Sequence, residues 1–167
     1  MANNDFPLYN GVAPSWADVE VLISGLDMPL LQSEDVKAVN TSATVEVGTQ
    51  YAGGRPKART TGQASYEASL TLYRSGYDKL LRGLQAAAEA KGYVRGDLAR
   101  ISLVNFNVTL RHTPPGSDAI FEVQMLGCRV LARTLNSTQG TDPDEVEVPL
   151  SVLEIADVVD GKNVVLL

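Results

Sequence analysis

The chain has 167 residues, the length of one domain, with 44% apolar and 20% charged residues, enough to bury a core and too few charges for disorder. No apolar run approaches the length of a membrane span, and a single cysteine, Cys128, excludes an internal disulfide and suits a reducing compartment. The formal net charge of −6, from 20 acids and 14 bases, excludes a protein that grips nucleic acid through a basic surface.

Residues 1–17 read as an N-terminal arm. Phe6, Tyr9 and Trp16 are apolar anchors among Pro and Asn, suited to docking on a partner subunit or to loose packing on the same domain. The start Met1-Ala2-Asn3-Asn4-Asp5 lacks the basic and apolar regions of a secretory signal. From residue 18 to 167 a single β-domain is expected, and period-two alternation dominates it.

Strands are expected at Asp18–Ser24 and Ala43–Thr49. The stretch from Gly48 to Gly62 then reads as a long basic loop containing Tyr51, Gly53-Gly54, Arg55, Lys57 and Arg59. It fails as a phosphate cradle, because no Gly-Lys-Ser/Thr ending occurs and a strand rather than a helix follows. A loop of that length inside a small domain is usually functional or mobile, and reach toward a neighbouring subunit is the better reading of it.

In Ser65–Tyr73, Tyr66, Ala68, Leu70 and Leu72 face one way while Ser65, Glu67, Ser69 and Thr71 face the other, the pattern of a half-buried strand. One helix follows. Ser75-Gly76-Tyr77-Asp78 reads as a capping box with Asp in place of Glu. Tyr77, Leu80, Leu81, Leu84 and Ala88 recur at helical spacing, and Gly92 is placed to end the helix.

Further strands are expected at Arg100–His112, Ala119–Leu126, Cys128–Asn136 and Glu145–Val152, with Pro114-Pro115-Gly116 and Gly140-Thr141-Asp142-Pro143 as turns. In the last strand Val146, Val148, Leu150 and Val152 point inward, and Glu145, Glu147 and Ser151 outward.

Charge is unevenly placed. Residues 136–160 hold seven acids and no base, while 51–82 hold six bases against Glu67 and Asp78. Two opposite patches on one chain allow head-to-tail pairing of copies, or are two solvated faces of a monomer.

The chemistry-bearing residues are sparse. His112, the one histidine, sits at a strand end beside two prolines and reads as a surface turn residue. Cys128 reads as buried apolar filler. One Cys and one His cannot supply the four ligands zinc needs, and Asp142-Pro143-Asp144-Glu145 lacks the spacing and Gly turn of an EF-hand calcium loop. Glu145 and Glu147 share a strand face, as paired carboxylates of a hydrolase would, but so do alternate residues of any strand with one polar face. No catalytic, cofactor-binding or metal site is expected.

The segment Thr60-Thr61-Gly62-Gln63-Ala64-Ser65-Tyr66-Glu67-Ala68-Ser69-Leu70-Thr71-Leu72-Tyr73, running into Tyr77-Asp78-Lys79-Leu80-Leu81, resembles bacteriophage tail tube proteins. So does the end, with Gly127-Cys128-Arg129-Val130, Gln139-Gly140-Thr141-Asp142, an alternating Val/Leu strand to Ile155, and Asp160-Gly161-Lys162. The order of elements over residues 18–167 carries the resemblance, and the arm before it matches nothing.

The resemblance implies a mainly β fold, an antiparallel β-sandwich or barrel with one flanking α-helix, as in type VI secretion and tailocin tubes. It implies a structural protein of the virion tail, assembled in the host bacterial cytoplasm. Hexameric rings of self would stack into a tube lined by a continuous β-barrel, the conduit for DNA ejection. Sheath or baseplate, tape measure and tail terminator proteins would be its partners, with transient non-specific passage of DNA and no membrane insertion. Glu46, Glu67, Glu145 and Glu147 are then the candidate lumen-facing acids, and Tyr51, Arg55, Lys57 and Arg59 the candidate inter-subunit contacts. The alternatives are a tail terminator, a baseplate-proximal ring or a connector of the same fold, and a soluble ligand-binding β-barrel.

Overall fold

The computed structural model describes residues 19–113, 120–159 and 161–165; the N-terminal arm and the Pro114-Pro115-Gly116 turn lie outside the described residues. The chain order is β1 (Val19–Ser24), β2 (Leu31–Gln32), β3 (Val36–Ala52), β4 (Arg55–Tyr73), α1 (Arg74–Ala90), β5 (Val94–Arg95) and β6 (Leu98–Ala99). A short 3-10 turn at Ile101–Leu103 leads into β7 (Phe106–His112) and β8 (Phe121–Val130). The chain ends with β9 (Thr134–Asn136), β10 (Glu145–Ser151), β11 (Glu154–Val159) and β12 (Lys162–Val165). All pairings are antiparallel.

The strands form two layers that share β8. One layer runs β2-β1-β7-β8-β11-β12 and the other β3-β4-β10, with β9 and the end of β8 on the far side of β10. Gly127 makes the sharing possible. Phe106 pairs with Cys128 and Val108 with Met125, so β8 carries one extra residue there, with Gly127 at φ +66°. Such a bulge bends a strand and raises its twist, which lets residues 129–130 leave the first layer and pair with β10. The Gly127 N–H donates to Asn107 Oδ1 at 2.9 Å.

Alternation fills the space between the layers. Val19, Val21 and Ile23 of β1, Phe106 and Val108 of β7, and Met125 and Cys128 of β8 meet Ala68, Leu70 and Leu72 of β4 and Val146, Val148 and Leu150 of β10. Tyr77, Leu80, Leu84 and Ala88 of α1 close one end of this core. Gly92, at φ +73°, follows the helix as expected, with the Tyr93 N–H donating to Ala88 O at 2.8 Å.

The helix start differs from expectation. It begins at Arg74 with no side-chain cap, and Ser75 Oγ donates instead to Asp35 Oδ1 at 2.9 Å. The tight turn before β3 puts Asp35 against the first helical turn, and a partner 40 residues away outcompetes the local box.

The expected loop over 48–62 is also corrected. It is the outer part of a β-hairpin in which β3 and β4 stay paired to Ala52–Arg55, with Gly53 and Gly54 at φ +60° and +75°. Left-handed conformation at both central residues is what a two-residue hairpin turn of the I′ type demands. The expected strand at Arg100–His112 begins only at Phe106, His112 is a half-buried strand residue rather than a turn residue, and the strands expected at Ala119–Leu126 and Cys128–Asn136 are β8 and the short β9.

Candidate functional site

The hairpin β3–β4 has two halves of different character. From Val36 to Val45 and from Ala64 to Tyr73 its strands carry side chains into or onto the core. Every residue from 46 to 63 is exposed, so this part is a two-stranded arm with no third strand beside it among the described residues. With strands rising about 3.4 Å per residue, the arm reaches on the order of 25 Å beyond the body. A ribbon of two strands is marginal in water unless something covers it.

The arm is basic. Arg55, Lys57 and Arg59 lie at its tip, no acid occurs from 47 to 66, and none of the three bases makes an ion pair among the described residues. Register places Arg55 opposite Ala52 and Arg59 opposite Thr49, with Lys57 beside a bulge. Tyr51, paired with Pro56, is 70% exposed, and Val47 59%. The structure therefore brings Tyr51, Arg55, Lys57 and Arg59 together on one protruding element.

The second feature is the outer face of the layer β3-β4-β10. Cross-strand partners share a face, so Asn40 with Ser69, Ser42 with Glu67, and Thr44 with Ser65 lie opposite the core side. On β10 the same face carries Glu145, Glu147, Pro149 and Ser151. It is hydroxyl-rich and acidic, and Thr44 Oγ1 and Ser65 Oγ are hydrogen-bonded at 2.6 Å.

The four acids fare differently on it. Glu67 and Glu147 border one shallow concavity with Asn40, Ser42 and Ser69. Glu46 lies out on the arm facing Gly62, where a Cβ would stand 2.9 Å from the Glu46 backbone oxygen. Glu145 is held by Lys37 in an ion pair, and the hydrogen bond that Lys37 Nζ donates to the Glu145 carboxylate is the main cause that pushes the Lys37 ammonium above its ordinary value.

Among the described residues the layer also has an open edge at each end. β3 is last in the order on one side, and the short β9 borders β10 on the other. Unpaired edges are a template for pairing with another chain.

Beside these surfaces, a groove runs between α1 and the chain leaving β8. Leu80, Leu81 and Leu84 of the helix face Ile101, Val130 and Leu131 across it. Leu131 is 66% exposed. Sequence reasoning missed this groove, because alternation marks Leu131 as one more strand residue and cannot show that the strand stops at Val130.

Cys128 is fully buried, and burial pushes its thiol up to about 11, far from a reactive thiolate. No group of three or more His, Cys, Asp or Glu gathers among the described residues. Among the described residues no helix is long and apolar enough to cross a membrane.

No protein-family model and no curated protein sequence matches the chain. Solved structures do. The PVC sheath-tube complex of an extracellular contractile injection system, in its extended state, aligns at a TM-score of 0.61 and 12% identity over 93% of this chain and 94% of that one. The tube-terminating cap of the anti-feeding prophage gives 0.61 at 9% identity, covering 95% and 99%. A type six secretion system protein gives 0.54 at 16% identity, covering 88% and 89%. At these identities the likeness is one of fold, and it spans nearly the whole chain. The chain has the tube-like fold, a mainly β antiparallel architecture with one helix, that occurs in contractile injection systems and type VI secretion.

Proposed function

We propose that this protein is a structural tube subunit of a phage-type tail, without catalytic activity, that assembles as hexameric rings stacked into a hollow conduit for DNA. The observation that carries the reading is the layer β3-β4-β10-β9. It has an acidic hydroxyl-rich outer face and, among the described residues, an open strand edge at either end. Pairing the β3 edge of one copy with the β9 edge of the next would close the layer around a ring and remove both edges. The polar face then becomes the inner wall, and the core stays on the dry side.

In that arrangement Glu67 and Glu147 face the channel, with Glu46 near its rim. Glu145 contributes less field than the others because Lys37 neutralises it. An acidic wall repels phosphates, so DNA passes without sticking. The basic arm would lie on another copy, joining rings along the tube axis. Residues 18–167 form the tube domain in this reading, and residues 1–17 an arm that docks between copies. Sheath or baseplate, tape measure and terminator proteins are the expected partners, in a virion tail assembled in the bacterial cytoplasm.

A terminating ring or baseplate-proximal ring is the second reading. It is favoured by the likeness to a tube-terminating cap and, at a TM-score of 0.53, to the baseplate of the anti-feeding prophage.

Negative-stain microscopy of the concentrated purified protein, with sizing-column chromatography, tests both. Hollow rods of uniform width are the expected result. Single rings that never stack would favour the second reading. A monomer at every concentration, even with preformed tail tubes offered as seeds, would overturn both.

A further inference from the structure

We infer that the tip of the β3–β4 arm seats on a second copy of this chain, in the groove beside α1 and against the acidic turn that leads into β10. The inference rests on the self-assembly reading above and names the receiving surface.

Topology separates the two surfaces. β4 runs from the arm tip at Arg55 to Tyr73, where α1 begins, and Tyr73 faces Glu145 across the register. The acidic turn before Glu145 and the helix therefore sit at the base of the hairpin, and the arm points away from them. Nineteen residues of β4 at about 3.4 Å each put the ends on the order of 60 Å apart. A copy cannot engage its own groove, whereas a copy set beyond the tip presents its groove to it.

Chemistry matches on two counts. Arg55, Lys57 and Arg59 form a tip with no acid from 47 to 66, and the receiving turn has Asp142 and Asp144 with no base from 134 to 161. Neither aspartate makes an ion pair among the described residues, whereas Glu145 is already held by Lys37. Tyr51 and Val47 expose apolar surface on the arm, and Leu131 exposes it on the groove. Arg133 continues from the groove into β9, and β9 leads directly to the acidic turn, so one strand passage borders both. An aromatic anchor with charged neighbours at its rim is the usual anatomy of a specific contact.

The contact is heterologous, tip to base, so it repeats along an axis instead of closing on a pair. Mixing experiments can read that property. Variant one carries Arg55→Glu, Lys57→Glu and Arg59→Glu, and variant two carries Asp142→Lys and Asp144→Lys. All five side chains belong to surface segments, and circular dichroism of each variant checks the fold. Each variant alone should need at least about a tenfold higher concentration than the wild type to sediment as assemblies, since several exposed attractions become repulsions. An equimolar mixture should assemble again, because each tip then finds an opposite charge on the other variant. A chain with all five changes should do the same by itself, and Leu131→Asp should weaken assembly of the wild-type tip and of the five-fold variant alike.

Variant two assembling like the wild type, or a mixture that stays apart, overturns the inference while leaving self-assembly in place. A wild-type chain that never assembles overturns the function proposed above along with it.

Discussion

Asp35 takes a carboxylate into the protein, 1% exposed, because three donors meet it there. Lys79 Nζ lies 2.6 Å from Oδ2, Ser75 Oγ donates to Oδ1 at 2.9 Å, and the Gln32 N–H reaches Oδ2 at 3.4 Å. Its own carbonyl accepts from the Tyr73 N–H at 3.0 Å. Burial alone would raise its pKa, but the hydrogen bonds from Lys79, Ser75 and Gln32 and the Lys79 charge outweigh it and hold the group below its ordinary value. A depressed carboxylate stabilises the fold above its unfolded pKa and loses that contribution as pH falls through the folded one. Denaturant midpoints should therefore drop as pH is lowered from about 4, and the drop should be smaller in Asp35→Ala. At neutral pH that variant should be less stable by about 3 kcal/mol, because a half-buried ammonium and a hydroxyl lose their acceptor. Gly76 tests the same junction by shape. A Cβ there would collide with the Asp35 backbone oxygen, so Gly76→Ala should cost about 1–3 kcal/mol by chemical denaturation. None of this was legible in the sequence. Ser75 followed by Asp78 satisfies a local capping rule, and the acceptor that wins is brought in by a turn that only the folded chain defines.

At the scale of elements, alternation was readable wherever one face of a strand is buried. Leu70 and Leu72 against Ser69 and Thr71, and Val146 and Val148 against Glu145 and Glu147, declared their strands because core and solvent sort the side chains. The arm gave no such signal. Both its faces are wet, so residues 46–63 mix polar, basic and small residues with the exposed Val47 and Tyr51 and show no period, and Gly53-Gly54 was the sole mark of a hairpin tip. The arm's independence has a consequence for stability. No residue from 43 to 67 belongs to the fully buried core, and Val45 and Ala64 are cross-strand partners. Replacing residues 46–63 with Asn-Gly should thus leave a folded body whose thermal midpoint stays within about 5 °C of the parent, since surface changes away from the core cost little. In the proposed assembly the same deletion should abolish stacking. Amide hydrogen exchange offers a second view. Backbone hydrogen bonds of the arm should exchange far faster than those of Leu70 and Val148 in the monomer, and should become protected on assembly.

For the whole molecule, the pattern of burial sets up a wall with a dry and a wet side, and the placement of charge decides what the wet side does. Two of its acids without an ion pair among the described residues, Glu67 and Glu147, border one concavity, and their neighbours Asn40, Ser42 and Ser69 offer hydrogen bonds but no cation. If this face lines a channel, its sign governs whether a polyanion slides or sticks, and lysines at both positions reverse that sign while leaving the arm unchanged. The variant Glu67→Lys with Glu147→Lys should therefore still form rods of the parental width. In the proposed ring of six, two lysines per copy would then offer at least six cations to each stretch of DNA. Release of condensed counterions makes such binding steeply salt-dependent, falling on the order of a thousandfold between about 50 mM and about 200 mM salt for six phosphate contacts. Fluorescent DNA cosedimenting with the variant rods at low salt, and not with parental rods, is the expected outcome. Rods of normal width that ignore DNA in both forms would place these carboxylates elsewhere than the channel wall. DNA that stays accessible to nuclease while bound would place them on the outside. Protection from nuclease is thus the deciding measurement, since only a face that closes around a lumen can shield what it binds.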